Sequence, residues 1–219
     1  MLRGLVPVLV LSTAAVVGGV ACAGGGIDPA SHTPQTLEAP PPLAGQSVAV
    51  FAGGCFWCME KPFDKIPGVI STTSGYTGGR IAGPSYKQVS MHQTSHYEAL
   101  RVVYDPAKVS YERLLEVFWH NVDPTQSNGQ FCDKGDQYRT GIFTSDPDEV
   151  KQAEKSRKDA EAVLGAKIVT KVLPEAPFWV AEEYHQDFYK KNPEHYTRYR
   201  TGCGRDRRLA ELWGDAAGH

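Results

Sequence analysis

Apolar positions run almost unbroken over residues 1–22, lose all period over 23–46, and from Ser47 onward alternate between strand-like and helix-like spacing. "SVAVFA" is a short run of β-formers and predicts a buried strand, broken by Gly53-Gly54. "CFWCMEKPFDKI" can start a helix, which Pro62 must kink or confine to its first turns. "VISTTSGYTGG" predicts a second strand ending in a glycine turn, and "YEALRVVYD" a third, stopped at Asp105-Pro106. Ser110 is placed to cap a helix carrying "YERLLEVFWHNV". "YRTGIFT" predicts a further strand. Asp146-Pro147 with Glu149 at the third helical position predicts a capping box opening "DEVKQAEKSRKDAEAVL", with Gly165 as its stop. "KIVTKVLP" predicts the closing strand and "AEEYHQDFYKKN" the last helix. The pattern predicts one α+β domain, a mixed open sheet with helices packed on it, over residues 47–219.

The flanking regimes are of a different kind. "MLRGLVPVLVLSTAAVVGGVACAGGG" has one cation, an apolar run and then small residues, the order of an export signal. Ala21-Cys22-Ala23 fits an ordinary signal-peptidase cut. Val20-Ala21-Cys22 fits the end of a lipobox with Cys22 lipidated, although Gly19 stands where a lipobox usually has Leu. An uncleaved anchor is the third alternative. All three place the rest outside the cytoplasm, in the periplasm or on a membrane as a bacterial lipoprotein, the lipoprotein being favoured. Residues 23–46 are rich in Gly and Pro and predict an extended tether. A net charge of −2 over 219 residues gives no reason to expect a nucleic-acid partner, and a hydrophobic fraction of 41% is enough for one sizeable core. The chain is expected to act as a monomer.

Chemistry concentrates in "FAGGCFWCMEKPF". Strand, Gly-Gly, then Cys55 puts that thiol at or near a helix start, where free N–H groups and the dipole favour a thiolate. The dipole supplies only about 0.3–1 kcal/mol, and Phe56 and Trp57 oppose it by desolvation, so Cys55 is expected to be only moderately activated. Cys58 lies one turn on, on the same face, within reach of a disulfide. Zinc held by Cys55, Cys58, Cys132 and Cys203, or a purely structural disulfide, are the bland alternatives, and neither explains the aromatic filler. A general dithiol oxidoreductase is a third, and it would need no acid beside the cysteines.

"GGCFWCMEKPFDKIPGVISTTSGYTGG" resembles the signature of the A-type peptide methionine sulfoxide reductases. "PSYKQVS", "HYEALRVVYDP", "DPTQSNGQFCDKGDQYRTGIF", "AEEYHQDFY" and "GCGRDRRLAELWG" resemble that family's later blocks in order and spacing, from about Val48 to Gly214. The resemblance implies a two-layer α/β sandwich with a ferredoxin-like core. It implies thiol-dependent reduction of the S epimer of methionine sulfoxide, free or in peptides, as protein repair, with no metal or organic cofactor and a thioredoxin-like donor as partner.

Residue by residue, it implies Cys55 as the attacking thiolate, which takes the sulfoxide oxygen and becomes a sulfenic acid. Glu98 matches the catalytic carboxylate, and to give a proton it must be held protonated by an apolar wall. Tyr86 and Tyr138 match the oxygen-binding hydroxyls, and Asp133 a polar member of the same pocket. Phe56 and Trp57 match the aromatic cage for the S-methyl. The commonest family pattern has Gly where Cys58 stands. Cys58 is expected to resolve the sulfenic acid first, Cys203 to be either a direct resolver or a relay, and Cys132 is a third candidate. Glu60 is taken as a first-turn helix carboxylate, and His185 is assigned no role.

Overall fold

The structure is a computed structural model that describes residue 1 and residues 35–218. The export signal, Cys22 and the first part of the tether lie outside the described residues. The domain opens with strand β1 (Ser47–Gly53), helix α1 (Trp57–Asp64) and strand β2 (Val69–Thr77). A short helix α2 (Tyr86–Ser90) precedes strand β3 (Tyr97–Tyr104) and helix α3 (Tyr111–Trp119). After the two-residue strands β4 (Gly129–Gln130) and β5 (Asp133–Lys134) come strand β6 (Thr140–Phe143) and the long helix α4 (Pro147–Leu164). Strands β7 (Lys171–Leu173) and β8 (Trp179–Val180) are followed by three helices, α5 (Phe188–Lys191), α6 (Pro193–Gly202) and α7 (Arg205–Trp213).

Six strands form one sheet in the order β7-β6-β1-β3-β2-β8. The β6–β7 pair is parallel and the other pairs are antiparallel. The central order β6-β1-β3-β2, with α1 after β1 and α3 after β3, is the split βαβ arrangement of a ferredoxin-like core.

Alternation along the strands decides what faces what. Ala49 and Phe51 of β1, with Leu100, Val102 and Tyr104 of β3, join Met59, Phe63, Leu114, Phe118 and Leu209 in the main core beneath the helices. Glu98 shares the parity of Leu100 and Val102, so β3 turns it into the helical layer, opposite Tyr76. Ala52, Tyr97, Ala99 and Phe143 face the other way, where Phe178, Ala39, Val50 and Leu173 complete a second cluster. Fully burying each large apolar side chain contributes about 1.5–3 kcal/mol, so the β3 core positions hold Glu98 rigidly in register.

Helix caps follow the sequence in part. Ser110 caps α3 by accepting from Arg113 N–H, and Gly165 ends α4 in the left-handed region at φ 59°. Asp146 caps α4, accepting from the N–H groups of Asp148 and Glu149. The expected capping box is only half formed, because the Glu149 carboxylate accepts from Thr144 Oγ1 instead.

Three expectations are corrected. The closing strand over 167–174 shrinks to Lys171–Leu173. The single last helix over 181–192 is broken into a 3-10 turn at Glu183–His185 and the four-residue α5, with Asp187 between them at φ 53°. Two further helices follow, entered at Pro193 and separated by Gly204 at φ 67°. The tether also ends earlier than residue 46. From Gln35 the chain is bound to the domain, with Ala39 N–H donating to Phe178 O and Leu37 O accepting from Val180 N–H, both at 2.8 Å.

Candidate active site

Gly54 adopts φ +80°, and a Cβ there would lie 2.5 Å from Gln130 Cβ, so the sharp entry into α1 requires glycine. The turn delivers Cys55 just ahead of the helix: Phe56 is the N-cap and α1 begins at Trp57. Phe56 has no side-chain cap. Its N–H donates to Glu98 Oε2 at 3.3 Å, so the carboxyl of β3 closes the start of the helix that carries the cysteines.

Both thiols are buried and hydrogen-bonded to each other. They divide one charge between them. Cys58 accepts from Cys55 and, despite burial, is drawn down to about 6 with help from the Arg205 and Arg200 guanidiniums. Cys55 is pushed well above the ordinary thiol range, by burial first and then by its hydrogen bond to Cys58 and the Cys58 charge. The helix-start advantage expected for Cys55 is therefore outweighed by desolvation. Arg205 is fully buried, its Nη2 donating to Gly53 O at 2.8 Å and Asn121 O at 3.0 Å. Arg200 is held by Asp206.

Glu98 is 2% exposed. Burial pushes its carboxyl up to about 8, against the Phe56 N–H, with the charges of Asp133 and Cys58 adding to the rise. It is a neutral acid at pH 7, with one oxygen taken by Phe56 and the other free to carry the proton. Tyr86 and Tyr138 hydrogen-bond to each other and feel both Glu98 and Cys55. Burial holds both phenols above their usual range, so they stay neutral donors. Cys55 is thus the sulfur facing the tyrosines, and Cys58 the one facing the arginines.

Phe56 packs with Tyr76, Val89 and Ala181, and the half-buried Trp57 and Tyr86 border the same cluster. Trp57 stacks on Phe188 with ring centroids 3.7 Å apart, and its Nε1–H donates to His185 Nδ1 at 3.0 Å. Burial lowers His185 to about 4, so it is a neutral acceptor that fixes the indole plane. Glu182 accepts from Tyr86 N–H at 2.7 Å and from Tyr76 Oη at 2.8 Å. The sequence left His185 without a role and did not single out Glu182. Glu60, read as an ordinary first-turn carboxylate, is 1% exposed, accepts from Ser74 Oγ and Asp187 N–H, and is raised to about 7 by burial.

Cys132 and Cys203 are joined by a disulfide. Asp133 lies against it, with Oδ1 3.8 Å from Cys132 Sγ and Oδ2 4.0 Å from Cys203 Sγ. Tyr199 Oη donates to Asp133 Oδ2 at 2.5 Å and also reaches Cys55. One phenol therefore connects the buried thiol pair to the carboxylate beside the outer disulfide. Tyr199 and Arg205 went unnoticed in the sequence because they sit on α6 and α7, the helices the pattern did not reveal. The four-cysteine zinc arrangement does not form: the described group with metal-ligand spacing is Cys132, Asp133 and Cys203, whose sulfurs are bonded to each other.

The sequence profile of peptide methionine sulfoxide reductase matches residues 47–217. A Caulobacter vibrioides peptide methionine sulfoxide reductase is 51% identical over 167 residues, covering 76% of this chain and 85% of that protein. One from Bacillus licheniformis is 48% identical over 171 residues, covering 77% and 94%. Among solved structures, reduced Mxr1 from Saccharomyces cerevisiae superposes with a TM-score of 0.66 at 33% identity, covering 73% of this chain and 91% of that one. Methionine sulfoxide reductase A of Corynebacterium diphtheriae gives 0.63 at 30% identity, covering 73% and 89%. With a cysteine pair, a buried acid and paired phenols already in one pocket, these matches decide the assignment: the chain belongs to the peptide methionine sulfoxide reductase family.

Proposed function

We propose that the protein reduces the S epimer of methionine sulfoxide, free or in peptides, by thiol chemistry at Cys55. The observation that carries this reading is a neutral, buried Glu98 beside Cys55 and the Tyr86–Tyr138 pair. Disulfide exchange needs no such acid, whereas a departing S–O oxygen does. Phe56 and Trp57 receive the S-methyl, and Tyr86 and Tyr138 donate to the oxygen. As Cys55 attacks, its shared proton passes to Cys58 and Glu98 protonates the oxygen. Methionine leaves, and Cys55 is left as a sulfenic acid. Asp133, through Tyr199, completes the polar side of the pocket.

Cys58 then condenses with the sulfenic acid, forming a Cys55–Cys58 disulfide and releasing water. Its position favours it over Cys203: it is already hydrogen-bonded to Cys55, while Cys203 is bonded to Cys132. Cys132 is exposed and the inner pair is buried, which supports Cys132–Cys203 as the relay through which a thioredoxin-like dithiol reduces the inner disulfide. The sum is balanced: sulfoxide and external dithiol become methionine, external disulfide and water. An outer disulfide with an exposed sulfur suits an oxidising compartment, consistent with an exported, lipid-anchored chain.

Mixing the fully reduced protein with each epimer separately, without added reductant, tests the reading. Up to two equivalents of methionine from the S epimer are expected, with two thiols lost per equivalent, the first from the Cys55–Cys58 pair and the second drawn through the Cys132–Cys203 relay. No methionine from either epimer rejects it.

A further inference from the structure

Residues 35–46 precede the stretch that matches the family, yet their first part is built into the domain. Gln35 N–H donates to Gly83 O at 2.6 Å, and Thr36 N–H to the same oxygen at 3.3 Å. Thr36, 7% exposed, donates through Oγ1 to Pro84 O at 2.8 Å. The next residues run along the outer edge of β8: Leu37 O accepts from Val180 N–H, Glu38 bridges Trp179, and Ala39 N–H donates to Phe178 O. Farther on, Pro40 O accepts from Arg101.

The two places gripped by residues 35–39 are the ends of two arms that converge on Tyr86. Pro84 leads into Ser85, the N-cap of α2, and then into Tyr86. Val180 leads, two residues on, to Glu182, which holds the Tyr86 N–H and the Tyr76 hydroxyl. A helix of five residues does not hold itself in place, so the setting of Tyr86 depends on what fixes those arms. The strap ties one arm to the other. Its labour divides along the chain: Ala39 packs over the sheet's second face, while the hydrogen bonds of Gln35 and Thr36 among the described residues go to the α2 arm.

We propose that the strap of residues 35–39 is a positioning element for Tyr86, with Thr36 as its key side chain, fixing the phenol where the sulfoxide oxygen is bound. This rests on Tyr86 being an oxygen donor, as proposed above. Thr36 touches no reacting atom and acts through Pro84, Ser85 and Tyr86.

The test uses the full chain with Thr36→Val, Thr36→Ser, Tyr86→Phe, and Thr36→Val combined with Tyr86→Phe. Single-turnover methionine formation and the later closure of the disulfide are timed separately. Thr36→Val should slow methionine formation about 5-fold, the scale of one lost hydrogen bond, and leave disulfide closure unchanged. Thr36→Ser, which keeps the hydroxyl, should restore the rate. In the Tyr86→Phe background Thr36→Val should add nothing. An unchanged rate in Thr36→Val, or a full additive loss on top of Tyr86→Phe, overturns the strap's role while leaving that of Tyr86 standing. A Tyr86→Phe chain as fast as the parent removes the reading beneath it, and the proposal with it.

Discussion

Replacing Glu98 by Gln separates catalysis from stability, because the same burial that makes the carboxyl an acid strains the fold when it ionises. Its ionisation is raised from 4.5 to about 8, chiefly by desolvation. The sign follows from proton binding: between those values the folded chain keeps a proton that the unfolded chain has lost. Stability from this group is therefore full below pH 4.5 and declines until about pH 8. At neutral pH the decline spans about 2.5 pH units at about 1.36 kcal/mol each, so roughly 3 kcal/mol has gone. Gln does not titrate, and its carbonyl can still accept from Phe56 N–H. Glu98→Gln should thus be about 2–3 kcal/mol more stable than the parent at pH 7, more so at pH 9, and nearly equal at pH 4. The rate should move the other way. Single-turnover methionine formation should fall about 10²–10⁴-fold, and the parent's loss of rate around pH 8 should disappear. Urea unfolding at the three pH values and quenched single turnovers from pH 5 to 9.5 read both effects. Retention of the alkaline limb in the variant, or lower stability than the parent at pH 9, would refute the assignment of a buried neutral acid.

Cys58→Ser, lacking the thiolate that takes the Cys55 proton, should release one equivalent of methionine more slowly than the parent and then stall, with a sulfenic acid trapped on Cys55 by a dimedone-type reagent. Sustained turnover would move the resolving step to Cys203 or Cys132. Cys203→Ser should leave the first equivalent and the closure of the inner disulfide intact while slowing multiple turnover with a thioredoxin-type donor. An unchanged steady-state rate would remove the relay. Arg205→Met should raise the first ionisation of the thiol pair from about 6 by about one unit, followed by thiolate absorbance against pH. It should also destabilise the fold by about 2–5 kcal/mol, since Gly53 O and Asn121 O lose their buried donor.

What was legible in the sequence was what local pattern dictates. β1, β2 and β3 are long enough for alternation to show, and α3 and α4 carry Ser110, Asp146 and Gly165 at their ends, so their places could be read directly. The C-terminal third could not be read that way. Its polar helices α6 and α7 bury few residues each, Tyr196 and Arg200 on one, Arg205, Leu209 and Trp213 on the other, so no apolar stripe announces them. The signals were punctuation only, Pro193 at a helix start and Gly204 at a break. The strap was illegible for a related reason. An extended segment held by backbone hydrogen bonds leaves no periodic trace, and Pro40-Pro41-Pro42 reads the same whether docked or free.

The division of labour between two neighbouring thiols was beyond sequence reasoning altogether, because it depends on charges that arrive from distant elements. A helix dipole and a pair of aromatics predict a mildly activated Cys55. The structure instead places Arg200 and Arg205 on the side of Cys58, and Glu98 with the tyrosines on the side of Cys55. The hydrogen bond from Cys55 first, and then the two cations, draw the resting charge to Cys58. On the proposed mechanism, Cys55 stays protonated until a sulfoxide enters, with its proton's destination already hydrogen-bonded to it. A buried thiolate waiting at Cys55 would repel the ionised form of Glu98 and hold that acid protonated to still higher pH, weakening it as a donor. Storing the charge one helical turn away, beside two guanidiniums, lets the acid and the nucleophile share a pocket without either disabling the other.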